Sequence, residues 1–183
     1  MKILAAVALS LVLVAGGRAG AVDWTLSPDG YGPVRIGMAP AEAALALGMA
    51  LAPTDPTVAA PDPECHHLHA PALEGEDITF MVEHGRISRV SVYSGPLSTG
   101  TDRGITIGST EAEVLAAYGD SVEIQPAEYV DGHDVVVWDE GAGRGIRFVT
   151  MAADPADLSE PLHLHVSEIH VGGESIHWVE GCS

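Results

Sequence analysis

The sequence predicts an α+β fold of two tandem units, each a short helical segment packed on an antiparallel β-meander. Three observations carry that expectation. "IGSTEAEVLAAYG" at 107–119 repeats the pattern of "IGMAPAEAALALG" at 36–48. Strand-like runs separated by turn residues follow each phrase. The first 21 residues have the make-up of an export signal, which would take no part in the fold.

That leader, "MKILAAVALSLVLVAGGRAGA", combines Lys2, an apolar run from Ile3 to Ala15, and Ala19 and Ala21 at cleavage spacing. The run is shorter than the roughly 18 apolar residues of a membrane span. No cysteine sits near the cleavage point to carry a lipid. A mature chain starting at Val22, periplasmic or secreted and with no membrane anchor, is expected. The alternative, an amphipathic helix kept in the folded domain, requires a polar face that the run lacks.

Loss of Lys2 and Arg18, with no acid, makes the formal charge of -18 two units more negative. Such a surface repels phosphate, so nucleic acid and anionic membrane are poor partners. A basic protein or a cation suits it better, although acids also serve simply to keep a surface solvated.

Cys65 and Cys182 are the two cysteines, and the export signal directs them to a compartment where disulfides persist. Pairing would staple the two halves together and close a loop worth on the order of 4–5 kcal/mol of chain entropy. The alternative leaves Cys65 as a free thiol or ligand.

In the second phrase Thr110 is placed to cap a helix whose third residue, Glu113, reaches back to complete a capping box. Val114, Leu115 and Tyr118 form its stripe and Gly119 stops it. In the first, Pro40 opens the helix, Glu42 matches Glu113, Ala44 and Leu47 match the stripe, and Gly48 matches Gly119. Helices of about nine residues are unstable alone in water, so each needs a sheet to bury its stripe.

Downstream, "DITFMVEHGRISRVSVYSG" predicts a hairpin turning at Glu83 to Arg86. "VEIQPAEYV" and "HDVVVWDE" predict two strands around a two-residue Asp131-Gly132 turn. "GIRFVTM", "LHLHVSEIHVGG" and a last strand, "SIHWVEGC", follow. "LAPTDPTVAAPDPE" carries four prolines and is expected to lack regular structure. "SGPLSTGTDRG" reads as a connector. The units are therefore placed at 22–98 and 99–183, near the lower size limit for independent folding, which implies a shared interface.

The two phrases, Gly37-Met38-Ala39-Pro40-Ala41-Glu42-Ala43 and Gly108-Ser109-Thr110-Glu111-Ala112-Glu113-Val114, resemble the helical motif of a superfamily of bacterial envelope proteins. That superfamily includes the beta-lactamase inhibitory proteins and the SmpA/OmlA (BamE) assembly lipoproteins. The resemblance implies a non-enzymatic scaffold whose sheet or loops grip another protein. No residue here matches an inhibitory loop residue of that group, and the lipid-bearing cysteine of the assembly members is absent.

The sharpest chemical feature is "ECHHLH" at 64–69 together with "HLH" at 163–165. Residues two apart on a strand share a face, so His67 with His69, and His163 with His165, each present a pair of imidazoles. If their strands were adjacent, four nitrogens would meet in a set suited to zinc or copper. Otherwise they are histidines on solvent-facing strand positions or hydrogen-bonded beside the cysteine. No cofactor other than such a metal is expected. Nucleophile elbow, phosphate loop, dinucleotide fingerprint and His-Glu-x-x-His are all missing, and "GAGRG" at 141–145 reads as a hairpin loop. Trp24, Trp138 and Trp178 are expected to pack on the sheets, an exposed one marking a binding surface. The leading expectation is an exported, non-enzymatic module that engages a protein partner. The runner-up is a periplasmic zinc- or copper-binding protein using the four histidines.

Overall fold

The computed structural model describes residues 24–57, 61–73, 75, 77–94, 99–152 and 163–182. The expected leader therefore lies outside the described residues. Three two-residue strands, β1 (Leu26–Ser27), β2 (Gly30–Tyr31) and β3 (Val34–Arg35), form a small antiparallel sheet. Helix α1 (Pro40–Leu47) follows. Then come β4 (Ala52–Pro53), β5 (Cys65–His69), β6 (Asp77–Glu83) and β7 (Arg86–Ser94). Helix α2 (Glu111–Tyr118) leads into β8 (Val122–Pro126), β9 (Gly132–Asp139), β10 (Arg144–Ala152) and β11 (Leu164–Gly172).

Strands β4 to β11 make one eight-stranded antiparallel sheet in the order β4-β5-β6-β7-β11-β10-β9-β8. The expected α+β fold of two helix-on-meander units is thereby corrected. Among the described residues strands account for 45% and helices for 17%, so the protein is mostly β. The two runs of strands do not close separately. Ile169 to Gly172 of β11 pair with Val92 to Arg89 of β7, merging the runs into one sheet. The physical reason is the unpaired backbone that an open meander leaves at each edge, which mutual pairing satisfies.

Alternation along the strands divides the sheet into two faces. Ile78, Phe80 and Val82 of β6, Val90 and Val92 of β7, Val135 of β9, Ile146 and Phe148 of β10, and Ile169 and Val171 of β11 share one face, all at most 2% exposed. Ala43 and Leu47 from α1, Val114 and Tyr118 from α2, and Leu26, Tyr31 and Val34 from the small sheet close over them in a single core. On α1 the deeply buried stripe residue is Ala43 rather than Ala44. Each helix is set on the sheet by its leading loop: Gly37 and Met38 exchange backbone bonds with Ile87 (2.7 and 2.9 Å), and Gly108 and Ser109 with Val166 (both 2.8 Å).

The capping box predicted for α2 is present. The Thr110 hydroxyl accepts from the Glu113 N–H at 3.2 Å, and a Glu113 carboxylate oxygen accepts from the Thr110 N–H at 2.7 Å. In α1 Glu42 makes the equivalent bond to the Ala39 N–H at 2.8 Å. Two strand expectations change. β8 ends at Pro126, so residues 127–131 form a five-residue connection in place of a two-residue turn. The expected last strand is a 3-10 turn, Glu174–His177, followed by irregular chain to Cys182. In the proline-rich stretch Pro53 belongs to β4, at the sheet edge where a missing N–H does not interrupt a ladder.

Candidate functional site

The C-terminal segment, 173–182, crosses the second face of the sheet. Cys182 bonds to Cys65 on β5, and the Arg89 Nη1 atom on β7 donates to the carbonyls of Ser175 (2.8 Å) and Trp178 (2.7 Å). Gly181 passes so near that a Cβ there would meet Arg89 Nη2 at 2.8 Å and the His67 ring at 3.0 Å. Within this segment Ile176 is wholly buried and the His177 ring meets Trp138 edge-on at 5.2 Å.

Covering this face encloses a polar layer, because its strand positions alternate with those of the apolar core. Arg89, Ser91, Arg147 and His170 are at most 2% exposed and Asp134 is 6% exposed. Glu168 Oε2 lies 3.0 Å from His170 Nε2, and Ser91 Oγ lies 2.9 Å from His170 Nδ1. A carboxylate only accepts, so Nε2 carries the proton and bare Nδ1 accepts from the Ser91 hydroxyl. Burial lowers the His170 pKa to about 4, against a raising contribution from Glu168, so the ring is neutral near pH 7. The hydrogen bond from His170 outweighs burial and lowers the Glu168 pKa. Burial raises that of Asp134 despite Arg147 and lowers that of Arg89.

Beside the C-terminal segment lies a cavity of about 110 Å³. Arg147, Asp134, Glu168 and Val149 belong to the sheet side of its lining, and Tyr129 of the β8–β9 connection and Val179 of the C-terminal segment to its walls. The Tyr129 hydroxyl donates to Glu180 at 2.7 Å and links the two walls. Tyr129 is 65% exposed, Trp178 44% and Val179 37%. Glu128, Asp131 and Glu180 are exposed around them.

The expected disulfide, Cys65–Cys182, is present, with a sequence separation of 117. The four histidines are not brought together. His67 and His69 stand on β5, His165 on β11 and His163 just before it, and β6 and β7 lie between. Three strand spacings separate them by about 14 Å. Instead His67 is half-buried under the C-terminal segment, with burial the main cause of its lowered pKa. His69 lines a depression at β5 and β6 with a buried, unpartnered Nδ1, and His165 Nδ1 lies 3.2 Å from the Gly108 carbonyl oxygen. Among the described residues no group of three or more His, Cys, Asp or Glu side chains is placed to hold a metal ion.

Sequence reasoning missed Asp134, Arg147 and Glu168. The available signal was a charged residue inside each of three apolar runs, "HDVVVW", "GIRFVTM" and "VSEIHV", at positions facing away from the apolar set. Among the described residues no helix is long and apolar enough to cross a membrane, and the disulfide is compatible with an exported protein. No family model matches the chain, and no curated protein or solved structure matches it either.

Proposed function

We propose that the protein is an exported, non-enzymatic binding module of the bacterial envelope that engages a protein partner with a basic surface. The observation that carries this reading is the exposed group of Tyr129, Trp178 and Val179 on two segments tied together by the Tyr129–Glu180 bond. Large aromatic side chains held in place at a surface are the residues that dominate protein interfaces. The acids around them and the formal charge of -18 favour a positively charged counterpart. Kinship with the envelope superfamily named above belongs to the same proposal and rests on the two helix phrases, with periplasmic location resting on the leader.

The test is capture from envelope extract by the oxidised mature protein, run beside a Tyr129→Ala, Trp178→Ala variant. A basic protein retained by the native chain, released by added salt and lost with the variant is the expected result. Equal retention by both, or retention of nothing beyond controls, overturns the reading.

A further inference from the structure

Arg147 and Asp134 are both more than nine-tenths buried, and both line the 110 Å³ cavity. Neither has a hydrogen-bond partner among the described residues, and Arg147 Nε is fully enclosed without one. Their heads stand 3.7 Å apart, Nη1 to Oδ2, beyond hydrogen-bonding distance. Buried polar groups are nearly always paired, because an unmet donor or acceptor carries its full desolvation cost. The two are an ion pair without a hydrogen bond between them, and among the described residues nothing meets Arg147 Nε, which leaves room for an additional group to complete the site.

The surrounding charge selects that group. The charged residues that line the cavity are Arg147, Asp134, Glu168 and Glu128, one guanidinium among three carboxylates. A lone anion would meet three carboxylates and a lone cation the Arg147 guanidinium, whereas a dipolar ligand sets each of its charges against the opposite sign. The volume is far below the roughly 300–1,000 Å³ of pockets for drug-sized molecules. At about 30 Å³ per water it equals only a few waters. Val149 and Val179 supply an apolar wall for a short aliphatic group.

We propose that this cavity binds a small zwitterionic amino acid, its carboxylate on the Arg147 guanidinium and its ammonium on the Asp134 carboxylate. Tyr129 and Glu180, joined across the walls, frame the opening. The site adjoins the exposed group proposed to meet the partner, since Tyr129 and Val179 belong to both, but its ligand-holding charges, Arg147 and Asp134, are buried and are read out by amino-acid titration without any partner.

Calorimetric titration of the oxidised mature protein with glycine, L-alanine and L-valine tests it. L-Alaninamide, which lacks the carboxylate, and N-acetyl-L-alanine, which lacks the ammonium, serve as comparison ligands. Saturable binding of alanine that falls about tenfold or more when either charge is removed is expected, since one charge-assisted hydrogen bond contributes roughly that factor. The isosteric Asp134→Asn change should weaken alanine while leaving its secondary structure by circular dichroism unchanged. The comparison ligands act on the native chain and so decide the matter even if a variant fails to fold. No saturable heat up to about 10 mM of any amino acid, or equal binding of alanine and its two one-charge analogues, overturns the proposal and leaves the cavity to water.

Discussion

Arg89 and Trp178 are 89 positions apart in the chain and are joined by a 2.7 Å hydrogen bond from the guanidinium to the backbone carbonyl. With the companion bond to Ser175, this one side chain converts an irregular C-terminal segment into the cover of a sheet face. A buried arginine is costly to desolvate, so its bonds must be made well for it to persist.

Replacing Arg89 by Met keeps the volume and apolar stem but removes both bonds. Unfolding in denaturant should show a loss of about 2–4 kcal/mol. Amide hydrogen exchange in 174–182 should rise more than exchange in β6 or β10. Uniform loss of protection across the sheet would argue against a local role for Arg89.

The disulfide acts on the same segment from its far end. A Cys65→Ser, Cys182→Ser variant should lose up to about 4–5 kcal/mol and melt at least several degrees lower. Proteolytic cleavage should begin within the C-terminal segment, and mass spectrometry of the first fragments checks this. First cleavage elsewhere would show that Arg89 and Ile176 hold the segment without the covalent bond.

Stability should depend on pH through His170. Its pKa falls from 6.5 unfolded to about 4 folded because the ring is buried, so the unfolded chain binds the extra proton first on acidification. The stability is intact above about pH 6.5 and is lost progressively as pH falls toward 4, by at most on the order of 3 kcal/mol. Glu168, whose pKa is lowered, adds loss in the same direction at more acid pH. Asp134, raised by burial, opposes it. Unfolding free energies measured from pH 7.5 to 4.5 should slope accordingly, and a His170→Gln change should flatten the slope. An unchanged slope in that variant would assign the dependence to other groups.

Gly172 sits where β11 joins β7, with φ +149, and a Cβ there would strike the Ser88 carbonyl. Gly172→Ala should therefore destabilise by about 2 kcal/mol or more, with the loss of amide protection centred on Arg89 to Val92. Protection lost first at β8 and β9 would place the weak point of the sheet elsewhere.

Much of the local structure was legible in the sequence because it depends on neighbours a few residues away. The α2 capping box needs only Thr110 and Glu113, and the β6–β7 hairpin needs only a turn at His84 and Gly85 between two apolar runs. The 127–131 connection was not legible, since Asp131-Gly132 has turn chemistry whether or not Pro126 has already ended the strand. The separation of the four histidines was not legible for a related reason. Shared faces along one strand are local, but which strands are neighbours is not.

What short-range periodicity, capping and composition carried was the place of the two helices, the buried Val114 and Tyr118 of α2, most of the strands, and the cysteine pair. Tertiary structure decided that β7 pairs with β11 so that two runs of strands become one sheet, and that the expected last strand becomes a cover. Both choices come from satisfying backbone and charge over separations of dozens of residues. The β9–β10 hairpin sets Arg147 near Asp134, and it is the long-range cover that takes the pair out of water.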